Sequence, residues 1–106
     1  MFTRIVEINA KAGKGKELAR TLSDKVLAVL RDQPGFVDLI TLQGDDNPDR
    51  VIGISFWKTP EDAKKYSTQG FPRVNDLIRN VIEGTPQVRT FDLVASTAHN
   101  IAVKAA

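Results

Sequence analysis

Val51-Ile52-Gly53-Ile54-Ser55-Phe56-Trp57-Lys58-Thr59-Pro60-Glu61-Asp62-Ala63-Lys64-Lys65-Tyr66 changes its grammar halfway. From Val51 to Trp57 every residue is apolar or small and none is charged, so both faces of this segment meet something other than water. That is the pattern of an interior strand. Thr59 then supplies an N-cap oxygen, Pro60 suits the first helical position, and Glu61 and Asp62 complement the positive end of a helix dipole. Trp57 stands at the seam between strand and helix, where a large ring either plugs a core or lines a pocket.

Upstream, Phe2 to Asn9 mixes β-branched and polar residues, with Val6 and Ile8 on one face and Ile5 on the other, as in a strand. Ala10 to Lys16 is a turn. Its Gly13-Lys14-Gly15 lacks both the Gly-Lys-Ser/Thr ending and the Gly-x-Gly-x-x-Gly spacing of phosphate-binding loops, so it reads as a loop. Leu18, Leu22, Val26, Val29 and Leu30 recur at helical spacing between about Lys16 and Asp32. Pro34-Gly35 stops that helix. Phe36 to Leu42 follows as a second strand, and the turn formers from Gly44 to Asp49 imply a hairpin into the strand at Val51.

Downstream, Gly70-Phe71-Pro72 interrupts the second helix, which predicts one piece from Pro60 to about Thr68 and another from about Pro72 to Ile82. The second piece carries the stripe Val74, Leu77, Ile78, Val81 and Ile82. Gly84-Thr85-Pro86 is expected to end it, with the fourth strand lying within Gln87 to Ser96. The tail from Thr97 to Ala106 has no period and takes no assignment.

Strand, helix, strand, strand, helix, strand is the α+β, ferredoxin-like βαββαβ order: a four-stranded antiparallel sheet with two helices across one face. With 106 residues, a single domain with a core over about residues 2–96 is expected. The sheet's other face is also apolar, because neighbours along a strand alternate sides and Val51, Ile52 and Ile54 cannot all point at the helices. An exposed apolar sheet face is uncommon on a monomer, so a second copy of the chain is predicted to cover it.

Composition removes several function classes. The formal charge of +2 comes from fifteen basic and thirteen acidic residues, and no aromatics interleave with the basic ones, so nucleic acid is not an expected partner. The absence of cysteine excludes disulfides, thiolate metal sites and cysteine nucleophiles. His99 is the only histidine; alone it builds neither a zinc site nor a serine-type triad, and it reads as a surface or dimer contact. No apolar run is long enough to span a bilayer and the first residues lack a signal-peptide layout, so a cytoplasmic protein with no membrane partner is expected.

Trp57-Lys58-Thr59-Pro60-Glu61-Asp62-Ala63, followed by Tyr66 and Phe71, resembles the antibiotic biosynthesis monooxygenase (ABM) family. Ala12-Gly13-Lys14 before the first helix and Pro34-Gly35-Phe36 before the second strand fall where that family has a similar turn and a similar Gly-Phe. The resemblance runs from Phe2 to Ala95. It implies a dimeric α/β barrel, two ferredoxin-like subunits packed sheet to sheet, each with a pocket between sheet and helices. Members known as enzymes include monooxygenases that oxidise aromatic substrates with molecular oxygen and neither metal nor flavin, so no cofactor is expected. Haem-degrading and quinol-oxidising relatives also belong.

By that resemblance Trp57 and Tyr66 are the candidate catalytic residues, the indole N–H and the phenol facing a substrate oxygen. Phe71, Arg73 and Asn75 are the candidate substrate-binding residues. The asparagine expected four residues before Trp57 is replaced by Gly53. The positions matching the haem-degrading branch are Val6, Tyr66 and Asn75, with no histidine to hold iron, which disfavours that branch. Arg4 and Arg89 are charged residues within strands, and salt bridges to Asp92 or Glu7 are preferred there over an anionic substrate group. Two functions are carried forward: a cofactor-independent oxidoreductase acting on a small aromatic or quinol-like molecule, and a non-catalytic dimeric module that holds a small apolar ligand.

Overall fold

The uncharged strand lies inside the sheet. In a computed structural model that describes residues 1–98, β1 (Phe2–Ala10), β2 (Phe36–Gln43), β3 (Arg50–Trp57) and β4 (Ile82–Asp92) form one sheet in the order β2-β3-β1-β4. All three pairings are antiparallel. The architecture is ferredoxin-like, with every helix on one face. His99 and the rest of the tail lie outside the described residues.

Cross-strand pairing sorts the side chains by face. Arg4 pairs with Ser55, Val6 with Gly53 and Ile8 with Val51, and this row looks toward the helices. Ile40, Ile54 and Ile5 line up on the opposite face, as do Leu42 and Ile52 beside Glu7. No element covers that second face among the described residues, which leaves Ile40 39% exposed, Leu42 46% and Phe91 51%. In its midst Glu7 binds Arg50 at 3.0 Å and Arg89 at 3.4 Å. The expected Arg89–Glu7 pair is therefore present.

The first helical region departs from a plain α-helix. It comprises α1 (Gly15–Thr21), a π-helical turn (Leu22–Val26) and α2 (Leu27–Arg31). Leu18, Leu22, Val26 and Leu30 are spaced by four, and on an α-helix that spacing drifts by about 40° per step. The wider π turn absorbs part of the drift, and all four stay buried.

The Gly-x-Gly turn before α1 is a loop, as expected, and its amides are occupied from within the chain. Asp49 accepts from the Gly13 N–H at 3.1 Å and the Gly15 N–H at 2.9 Å, so a carboxylate from the β2–β3 hairpin sits at the helix N-terminus. A Cβ on Gly15 would collide with the Pro48 carbonyl. The close approach of hairpin and helix start requires glycine there.

After β3, Thr59 caps α3 (Pro60–Gln69) by accepting from the Asp62 N–H at 3.1 Å. The break at Gly70 is as expected, and α4 (Phe71–Ile78) follows it. Here the boundaries change: the helix stops at Ile78, and β4 begins at Ile82 rather than within 87–96. Ile82 pairs with Ala10, and the Gly84-Thr85-Pro86 segment is taken up where the register shifts between Glu7 and Asn9. An edge strand tolerates a proline at a bulge, and Gly84 supplies the positive φ of 72°.

Replacing Asp49 with alanine should free two amides at once without touching the core. Urea unfolding of Asp49→Ala is expected to show a loss of about 1–2 kcal/mol. An unchanged midpoint would mean that the carboxylate contributes nothing to closing the hairpin against α1.

Candidate functional site

Aromatic residues gather where β3 passes into α3. Trp57 is fully buried. It stacks on Tyr66 with ring centroids 4.9 Å apart and planes 26° from parallel, and meets the edge of Phe36 at 5.7 Å. Tyr66 in turn meets Phe71 edge-on at 6.3 Å. The residues that build this row are local in sequence except Phe36. The helix cap at Thr59 sets the direction of α3, and helical periodicity then brings Tyr66 onto the same face as Ala63, over the sheet.

Gly70 lets the row close. A Cβ there would come within 2.6 Å of Tyr66 Cδ1, so any larger residue would push the ring away from Trp57. Gly53 does the opposite job on the sheet. Its missing side chain leaves open space, with Leu39 Cδ1 4.0 Å from the position of a Cβ.

Between the sheet and the helices lies a hollow of about 30 Å³, walled by Arg4, Val6, Gly53, Ser55, Tyr66, Phe71 and aliphatic residues of the helices. That volume holds about two waters. Tyr66 and Phe71 are in the wall. Trp57 stands behind Tyr66 instead, and its indole N–H donates to Ser55 Oγ at 2.9 Å. The expected role of that N–H toward a ligand is thereby taken by a serine, which itself bonds the Arg4 carbonyl at 3.4 Å. Arg73 and Asn75 are exposed on α4 and line neither this hollow nor the groove described below.

Arg4 is the residue that sequence reasoning misplaced. It is 4% exposed, with Cζ 5.2 Å from the Tyr66 ring centroid and 4.5 Å from that of Phe71. No ion pair to Arg4 is found among the described residues, and Nε has no hydrogen-bond partner. The expected bridge to Glu7 is ruled out by alternation, since Arg4 shares the helix-side face with Val6 while Glu7 points to the other. Burial of a cation without a counter-charge costs on the order of several kcal/mol. Two aromatic faces return about 0.5–2 kcal/mol each, which is less than the cost.

Burial lowers the Arg4 pKa below its ordinary value, with Tyr66 opposing the shift. It also pushes the Tyr66 phenol up to about 12, against the pull of the Arg4 cation. Tyr66 is therefore a neutral donor throughout the physiological range, not a base. On its other side Arg4 borders a more open groove of about 300 Å³ between α3 and the β1–β4 edge. Among the described residues, no cluster of three His, Cys, Asp or Glu could hold a metal ion, and no helix is long and apolar enough to cross a membrane.

A sequence profile of the antibiotic biosynthesis monooxygenase family matches residues 1–70. No curated protein matches the chain significantly. Among solved structures, a candidate antibiotic biosynthesis monooxygenase from Nitrosomonas europaea is 20% identical with a TM-score of 0.72, over 90% of this chain and 100% of that one. Another from Bordetella bronchiseptica is 14% identical with a TM-score of 0.76, over 89% and 97%. SnoaB, a cofactor-independent oxygenase from Streptomyces nogalater, is 20% identical with a TM-score of 0.74, over 91% and 95%. At these identities the likeness is one of fold.

With one tyrosine in the chain, absorbance follows Tyr66 alone. Its titration midpoint is expected near the raised value of about 12 in the folded protein and near 10.0 after unfolding. The folded state holds this proton more tightly, so its contribution to stability is complete below the unfolded pKa and falls as pH rises from about 10 to about 12. A folded-state midpoint near 10 would show the phenol to be solvated.

Proposed function

Because the chain belongs to the antibiotic biosynthesis monooxygenase family, we propose that it is a cofactor-independent monooxygenase acting on a small aromatic or quinol-like substrate. The observation that carries this reading is the Trp57–Tyr66 stack, which presents a neutral phenol at the wall of the hollow. Likeness of fold to SnoaB supports it. A substrate such as an anthrone supplies its own electrons. Its ring methylene loses two hydrogens, one atom of O2 becomes the new carbonyl oxygen, and the other leaves as water.

Each side chain then has a role its geometry permits. Tyr66 is the catalytic residue: un-ionised at neutral pH, it donates a hydrogen bond to the substrate oxygen on which negative charge gathers as the methylene proton leaves. Trp57 is a positioning residue, since its N–H is occupied by Ser55 and its ring acts by fixing the plane of Tyr66. Phe71 offers an edge to the substrate ring.

A second reading is favoured by the size of the hollow. About 30 Å³ admits no polycyclic ring unless α4 moves, and Gly53 brings no polar group to the sheet side. A dimeric module that binds a small apolar ligand without turning it over fits that geometry. For either reading we propose that two copies pair through the open sheet face, burying Ile5, Ile40, Leu42, Ile54 and Phe91.

Oxygen uptake on addition of dithranol to metal-free and flavin-free protein tests the enzyme, with one O2 consumed per dithranol oxidised. Tyr66→Phe should lower the rate about a hundredfold with folding intact. Trp57→Phe should lower it less. Binding of dithranol without uptake would establish the module instead. For the assembly, sedimentation equilibrium should return twice the 11.7 kDa chain mass, and Ile54→Lys should halve it. A wild-type monomer at micromolar concentration would end the pairing proposal.

A further inference from the structure

Arg4 is the single residue common to the walls of the inner hollow and the outer groove. The two spaces differ tenfold in size, about 30 Å³ against about 300 Å³, and only the groove approaches the lower bound of small-molecule clefts. Its surface is mostly apolar, with Phe2, Pro60 and Ala63 beside Arg4, and Lys64, Ser67 and Thr90 complete it. No acidic residue borders either space.

We propose that this groove is a binding site for a flat aromatic anion, with the anionic oxygen taking Arg4 as its counter-charge and the ring lying along Phe2. Three observations converge on that ligand. Arg4 is buried, carries an unpartnered Nε, and lies against two ring faces with no acid bordering either space. Lys64, exposed on the middle of α3, adds a second positive charge, which raises the local concentration of anions. The apolar floor repels strongly hydrated ligands such as sugar phosphates, whose polar surface would face Phe2, Pro60 and Ala63 unpaired.

A neutral ring would leave Arg4 as it stands, so selectivity should follow the charge on one oxygen. A carboxylate and an ionised ring hydroxyl share that chemistry. Tyr66 and Phe71 line the hollow and not the groove, so this anion site is separate from the proposed reaction and stands or falls without it.

Calorimetric titration with matched pairs tests it: 2-naphthoate against its methyl ester, and 2-hydroxy-1,4-naphthoquinone, an acidic enol, against its methoxy analogue. Wild-type protein should bind at least one anion ten times or more tighter than its neutral partner. Preference confined to the naphthoquinone anion would identify an ionised ring hydroxyl, and preference confined to naphthoate a carboxylate. Arg4→Met should erase the preference while keeping the fold, since it removes a buried charge that has no partner to lose. Should that variant fail to fold, Thr90→Phe, an exposed substitution that fills the groove from β4, should abolish binding of both anions. Equal affinity for anion and neutral partner in the wild type, or undiminished preference in Arg4→Met or Thr90→Phe, would overturn the site. Anion selectivity without dithranol oxidation would leave the groove standing and remove the oxygenase; oxidation without anion selectivity would do the reverse.

Discussion

The stack of Trp57 on Tyr66 is the contact through which strand and helix layers are locked together. A fully buried indole at the last position of β3 faces a phenol two turns into α3. Its N–H is satisfied by Ser55, two residues back along the same strand, so burial leaves no polar atom unpaired. With that ring fixed, α3 has one seat on the sheet. Gly70 then allows the chain to turn tightly past Tyr66 into α4, which brings Phe71 to the edge of the same ring.

The distribution of charge follows from the same layering. Alternation along β1 sends Arg4 to the helix side and Glu7 to the open side. Glu7 finds Arg50 and Arg89 there, in a row of aliphatic residues, and is held between them. Asp49, another acid at the sheet's end, is committed to the Gly13 and Gly15 amides. Arg4 is thus left among aromatic faces on a side of the sheet where neither of these carboxylates is available. That asymmetry, more than any single distance, is what makes the helix side of the molecule receptive to a negatively charged group.

Much of this was readable from short-range pattern. The interior character of β3, the Thr59 cap, the break at Gly70 and the strand–helix order depend on neighbouring residues, and each came out as the spacing implied. Other features depended on contacts distant in sequence. Gly84-Thr85-Pro86 reads as a stop, yet at a sheet edge it becomes a bulge, because a proline costs no ladder bond where no neighbouring strand needs its amide. The four-residue spacing of Leu18, Leu22, Val26 and Leu30 was in plain view and hinted at the π turn, which a uniform helical reading overlooked. The Arg4–Glu7 pairing could have been rejected from alternation alone.

By itself, then, the order of residues determined the βαββαβ layout, the aromatic seam at Trp57 and Tyr66, and the presence of apolar side chains on both faces of the sheet. These follow from backbone periodicity, which acts over a few residues. Only the tertiary structure decided that the indole N–H is spent on Ser55, that Arg73 and Asn75 stand outside the hollow, and that Arg4 is buried without an acid. The reason is that solvation and hydrogen-bond partners belong to the space between elements, and that space exists only once segments far apart in the chain have packed.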